Sequence, residues 1–320
     1  YTICGTVDGT YDDFYTYSTE TAEAGTDVIY YLKNKTTGEL AQMSATVRVD
    51  KTAPDWSGEN DGISIKTNKW KSLLSTISFG LFYKETVDVT VSASDSLSGV
   101  AKYYYYVDTS AGETVKTKEE LDALPSGESG FTEYAVTNAN AAQKITSLSA
   151  ESSRVVYVYA VDDVGNKSDY ICSNGVVIDM TAPTISNIST PSKGSGEDAT
   201  LTDTKADMTF TASESGTYFY IVKKRSEAAP DAINDFATSL VDESTGMTVW
   251  TANEGVTADA MTAGDSNRLS LTGLTANTEY TVYVVAVDKA GNISNILSQT
   301  FTTCKTMPKV TTNPTLSGTY

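Results

Sequence analysis

Leu274–Asp288 reads LTANTEYTVYVVAVD, and Leu148–Asp162 reads LSAESSRVVYVYAVD. The two stretches align without a gap, and each runs on into a short turn, DKAGN or DDVGN, and a second apolar segment. Within TVYVVAVD, β-branched and aromatic residues serve both faces of an alternating strand, as a central strand of a β-sandwich requires. The turn that follows carries Gly291 or Gly165, where a positive φ is expected, and it returns the chain as a hairpin.

The pattern occurs three times. Val28–Pro54, Val156–Pro183 and Val282–Pro308 share the strand, the turn and a closing DKTAP, DMTAP or CKTMP. The closing prolines lie about 125–130 residues apart, room for one all-β sandwich with insertions. Residues 1–52 read as the C-terminal part of a first repeat, 53–181 as a second, 182–306 as a third, and 307–320 as the start of another or a linker. Proline cannot donate to a strand ladder, so it ends one sheet where the next repeat begins. Such short joints favour a semi-rigid, elongated string of domains.

Composition narrows the function. The 320 residues hold 23 Lys and Arg against 41 Asp and Glu, a net charge of −18, which argues against nucleic acid and against a polybasic membrane anchor. No His is present, which removes Ser-His-Asp and Cys-His nucleophile systems and the commonest zinc ligand. Cys4, Cys172 and Cys304 are widely spaced, fit no metal motif, and read as small strand hydrophobes. No apolar stretch is long enough to insert in a membrane, and no signal peptide is visible. Tyr1 opens directly into strand-like sequence, as a piece cut from a longer chain would.

Three segments depart from the two-residue period. In NKWKSLLSTI, Trp70, Leu73, Leu74 and Ile77 have helical spacing. In TKEELDAL, Thr117 and Glu120 form a capping box ahead of Leu121 and Leu124, and Pro125 stops the turn. In PDAINDFATSL, Pro230 suits a first helical turn with Ile233, Phe236 and Ala237 on one side. Each is expected to lie across the edge or end of its sandwich. The fold class is all-β: tandem sandwiches with short helical insertions.

The run SLTGLTANTEYTVYVVAVDKAGNIS, from Ser270, resembles the end of a fibronectin type III-like domain. In that family the Tyr, here Tyr280, forms a corner with its hydroxyl tied to the preceding backbone. The second repeat carries Arg154 at that position. The phrases VTVSASDSLSGVAKYYYYVD and VDKTAP, with the Asp-Gly-Asn turns, resemble bacterial immunoglobulin-like repeats of Gram-positive surface proteins. That resemblance implies an extracellular place on a bacterial surface, cell-wall attached or secreted, and a role in display or adhesion.

Candidate sites are few. Asp162 and Asp288 stand before tight turns, where Asp ordinarily bonds its own backbone two residues on. Asp95, Asp162, Asp163 and Asn166 offer hard oxygens to a calcium ion, although no EF-hand loop is present and turn formation is the stronger reading. No catalytic residue, metal or cofactor is assigned. Among Tyr103–Tyr106, alternation sends two rings inward and leaves Tyr104 and Tyr106 outward as partner-binding candidates. Trp70, Phe82 and Tyr83, with Phe79, form an aromatic cluster around the first helical insertion and complete the candidate set. An intramolecular Lys–Asn cross-link through Lys102 or Lys205 is a further possibility.

The expected function is therefore a non-catalytic binding or adhesion module that engages a host protein or glycan, an immunoglobulin among them. The alternative is a stalk that presents another domain.

Overall fold

The computed structural model describes residues 1–56, 63–65, 70–72, 79–110, 115–125, 130–138, 142–193, 199–242 and 247–307; of 63–65, 70–72 and 79–80 it describes the backbone alone. Strands make up 48% of the chain and helix 3%, so the all-β expectation holds. Contacts divide the chain into two units. Unit 1 comprises 1–80, 87–149 and 153–176, and unit 2 comprises 81–86, 150–152 and 177–320.

Unit 2 shows how the quoted strand works. Glu279–Asp288 pairs antiparallel with Gly216–Lys224 on one side and Leu297–Thr302 on the other, with Thr257–Met261 beyond. A second sheet orders Ile185–Ser186, Ala206–Ala212 and Ser266–Leu271. Tyr280, Val282, Val284 and Ala286 point into the core between the sheets, against Met208, Phe210, Leu269 and Leu271. The alternate residues Val285 and Val287 point the other way. They join Phe219, Phe236 and Ala237 in a separate cluster, with Trp250 packed against it. A single strand thus feeds two cores, because its apolar residues occupy both faces.

Two of the three insertions cover this second face and do not lie across an edge or end; the first, NKWKSLLSTI, places Trp70–Ser72 at a sheet edge. In unit 2 the cover is a 3-10 turn, Ile233–Asp235, followed by the Ala237–Val241 and Thr248–Ala252 hairpin. The helix expected in PDAINDFATSL is thus a single turn, capped by Phe236, since a strand begins at Ala237. In unit 1 the cover is the Lys118–Asp122 helix, whose Thr117–Glu120 capping box forms as expected. Its Leu121 joins Phe131, Val155, Tyr157, Tyr170 and Cys172. Lys167 fastens the helix to the sheet: its Nζ lies 4.1 Å from the ring centres of Tyr159 and Tyr170 and 3.1 Å from Asp122 Oδ1. The Tyr170 hydroxyl and Lys167 beside Asp122 hold its carboxyl down to about 2.

NKWKSLLSTI does not open as a helix. Trp70–Ser72 is a strand paired with Ile171–Ser173, and Phe79–Tyr83 is a strand as well. An available strand partner overrides weak helical spacing. Leu73, Leu74 and Ile77 lie outside the described residues, as does nearly all of 307–320. Elsewhere in unit 1, Val100–Asp108 pairs with Ser152–Asp162 and Thr132–Ala135, while Gln143–Leu148, Val87–Val91 and Ile63–Ile65 form a separate three-stranded sheet. Residues 1–47 supply one more sheet, Thr2–Cys4, Thr26–Lys33 and Leu40–Val47.

The tyrosine corner forms in unit 2. The Thr275 N–H donates to the Tyr280 hydroxyl at 2.9 Å, and Tyr280 is 5% exposed. Tyr280→Phe removes the acceptor and leaves a part-buried N–H unpaired, so a loss of about 1–2 kcal/mol is expected in urea unfolding. An unchanged midpoint would mean that this bond carries no stability.

Candidate functional site

The strand ending in Asp162 turns sharply at Gly165, whose φ is +100°, and Gly291 repeats the geometry at +90°. Both positive values were expected from the sequence. Asp162 Oδ1 accepts the N–H groups of Val164, Gly165 and Asn166 at 3.0, 2.6 and 2.7 Å, and Oδ2 accepts Asn166 Nδ2 at 2.7 Å. The same Nδ2 reaches the Asp50 carbonyl at 3.3 Å. Asp95 Oδ1 accepts from Leu97, Ser98 and Gly99, and the Ser98 N–H also donates to Asp50 Oδ2. Three carboxylates therefore meet, with one oxygen of each within 4.8 Å of the others.

Unit 2 repeats the arrangement with Asp179, Glu214 and Asp288, again within 4.8 Å. Asn292 Nδ2 donates to Asp288 Oδ2 at 2.9 Å and to the Asp179 carbonyl at 2.8 Å. Thr181 N–H caps Asp179 as Thr52 N–H caps Asp50. The correspondence extends to sequence: Ala93-Ser94-Asp95 matches Ala212-Ser213-Glu214, and VDKTAP matches IDMTAP. The first repeat has Asn34 at the turn position, its Oδ1 accepting from Thr36 and Thr37. At the third closing segment Cys304 replaces the Asp.

Of the calcium candidates, the structure brings Asp95 and Asp162 together and adds Asp50. Asn166 faces the cluster as an N–H donor, and Asp163 is outside the cluster, on the lining of a cleft that Asp50 also lines. Asp50, Asp179 and Glu214 were missed in the sequence. The signal was there: the repeat offset that equates Asp162 with Asp288 also equates Asp50 with Asp179. Three converging carboxylate oxygens are a donor set of the kind hard cations take. Backbone and amide N–H groups already hold most of these carboxylates, however, and those bonds account for the geometry. Turn-making is what this arrangement does.

Like charges at close range leave a mark in unit 2. Burial first, then Asp179 and Asp288, push Glu214 above the ordinary glutamate value; burial, then Asp288 and Glu151, push Asp179 up. A carboxyl whose folded value is raised stabilises the fold below its unfolded value, and that contribution is lost as pH rises through the folded one. Glu214→Gln should therefore raise the unit 2 melting temperature at pH 7 by about 1–2 °C, a figure kept small for solvent screening. It should also flatten the gain in stability on acidification. A lower melting temperature at pH 7 would show that Glu214 is needed as a charge.

The aromatic candidates divide. Tyr104 is half-buried, stacked on Tyr159 at 4.9 Å, and its hydroxyl donates to Glu133. Tyr106 packs near Phe131 and Tyr157. Tyr83 is 7% exposed and belongs to packing, not to an open surface. Phe82 is half-buried, with Lys289 Nζ 5.4 Å from its ring centre. Trp70 lies on a strand, its side chain outside the described residues. Lys102 forms a surface ion pair with Glu133 at 3.0 Å.

No family model matches the chain, and no curated protein does. Solved structures similar to it include the FN1-FN3 domains of chicken CNTN1, at 14% identity and TM-score 0.30, covering 87% of this chain and 78% of that one. Fibronectin(III)-like modules of Clostridium thermocellum CbhA are similar at 11% identity and TM-score 0.32, covering 74% and 94%. A two-domain fibronectin type III segment of chicken tenascin is similar at 12% identity and TM-score 0.26, covering 69% and 94%.

Proposed function

We propose that the chain is a non-catalytic, extracellular binding module of a Gram-positive bacterial surface protein, engaging a host protein or glycan through the surfaces of its insertions. One observation carries the reading. The second and third repeats share strand, turn and carboxylate cluster, yet each covers its outer face with a different insertion. The unit 2 insertion leaves Leu240, Val241 and Val249 at 67%, 65% and 50% exposure, with Leu240 directly opposite Val249 across the hairpin. Apolar side chains grouped on a projecting hairpin are costly in water and suit a partner.

The test is capture of mucin glycoproteins and immunoglobulins from mucus and serum by the whole chain and by Leu240→Ser/Val249→Ser. Capture should fall about tenfold or more in the variant, the loss of a small hot spot. Equal capture would remove the hairpin from the reading. No capture by either would favour the second reading, a stalk, which the recurring Asp–Asn turn supports because a spacer needs repeated joints and no variable surface.

A further inference from the structure

Unit 1 contains a cleft of about 290 Å³ beside the Asp162 turn, bounded by the 21–23, 48–50, 97–98 and 163–164 segments. Ala22, Val49, Leu97 and Val164 give the cleft an apolar share of its lining, and Val164 is 61% exposed. The lining also holds Glu23, Asp50 and Asp163 against a single cation, Arg48. The Glu23 and Asp163 carboxylates have no hydrogen bond or ion pair with any described residue. Ser98, on the lining, has a buried hydroxyl without a partner, a polar atom whose desolvation is uncompensated.

A ligand suited to this cleft has an apolar stem for Val49, Leu97 and Val164 and a cationic end for the two free carboxylates. An anion would meet two unpaired carboxylates and one guanidinium. A neutral apolar group would strand those charges. We propose that the cleft anchors a lysine or arginine side chain of a partner polypeptide. The aliphatic stem lies along Val49, Leu97 and Val164, and the cation pairs with Asp163 and Glu23. The chain's net charge of −18 draws such a partner in. This site is independent of the unit 2 hairpin and holds whether the chain is a binding module or a stalk.

The test uses the whole ¹⁵N-labelled chain at fixed ionic strength, titrated with acetyl-Gly-Lys-Gly-amide and with the same peptide acetylated at Nε. Saturable shifts at the amides of Thr21, Ser98 and Val164 are expected with the lysine peptide and not with the acetylated one. In Glu23→Gln/Asp163→Asn, two exposed positions, affinity should fall about fivefold or more while amides elsewhere keep their shifts. Shifts spread evenly over acidic surface, no saturation at the cleft, or equal affinity in the double variant would each overturn the proposal. Leu240→Ser/Val249→Ser should bind the peptide normally, so failure of the hairpin reading and failure of this one are told apart.

Discussion

Phe210→Ala is expected to destabilise unit 2 by about 3–5 kcal/mol, a large share of the 5–15 kcal/mol typical of a folded domain. Phe210 is fully buried and meets Tyr218 edge to face, with ring centres 4.9 Å apart at 76°. It stands on Ala206–Ala212, opposite Asn267, so its ring fills the space between the two sheets. Removing it leaves a cavity lined by residues that β-sheet pairing holds in place, and collapse around it is limited. Phe236 is buried to the same degree but lies on the other face of the sheet, in the cluster beneath the insertion. Phe236→Ala should therefore loosen the Ala237–Ala252 hairpin, with the intersheet core melting in a separate, later step. Urea unfolding followed by tryptophan fluorescence and by far-ultraviolet circular dichroism distinguishes the two. Coincident, equal losses for both variants would mean that the two faces form one cooperative core.

Much of this architecture was legible because strand chemistry repeats. TVYVVAVD and VVYVYAVD carry their apolar faces in the residues themselves, and the Asp–Gly–Asn turns follow from glycine's freedom at positive φ and aspartate's reach to nearby N–H groups. The capping box at Thr117 was equally local. What could not be read was the destination of the insertions. Trp70, Leu73, Leu74 and Ile77 satisfy a helical period, but Ile171–Ser173 offers unpaired backbone to Trp70–Ser72, and ladder bonds between distant segments leave no trace in a short window. The outward tyrosines show the same limit. Tyr104 and Tyr106 pack against the cluster of Phe131 and Leu121, a contact that depends on a segment more than ten residues away and that alternation alone does not show. The carboxylate clusters lay between these extremes: Asp162 was found from its turn, whereas Asp50 needed the repeat offset.

Amide hydrogens of Thr26–Lys33 are expected to exchange about a thousandfold faster, or more, than those of Glu279–Asp288, although the two strands occupy equivalent places in their repeats. Their pairing registers agree: Val28 faces Ala45 and Tyr30 faces Met43, as Val282 faces Gln299 and Val284 faces Leu297. Pairing on that side is thus alike in both; on the other side Glu279–Asp288 is laddered to Gly216–Lys224 along nearly its whole length, whereas Thr26–Lys33 meets Thr2–Cys4 over three residues, so the difference lies in that second ladder and in what covers each strand. Val282, Val284 and Ala286 are fully buried between two sheets. Val28, Tyr30 and Leu32 are only half-buried, while Ile29, Leu40 and Met43 are 48%, 50% and 45% exposed. A three-stranded sheet without an apposed layer among the described residues has its ladder bonds and partial burial to oppose the entropy of its chain, and its opening should cost a small fraction of the energy needed to unfold unit 2. Hydrogen exchange read by mass spectrometry measures both strands in one sample. Equal protection would show that β-pairing alone secures this sequence, and that burial is not what holds the repeats together.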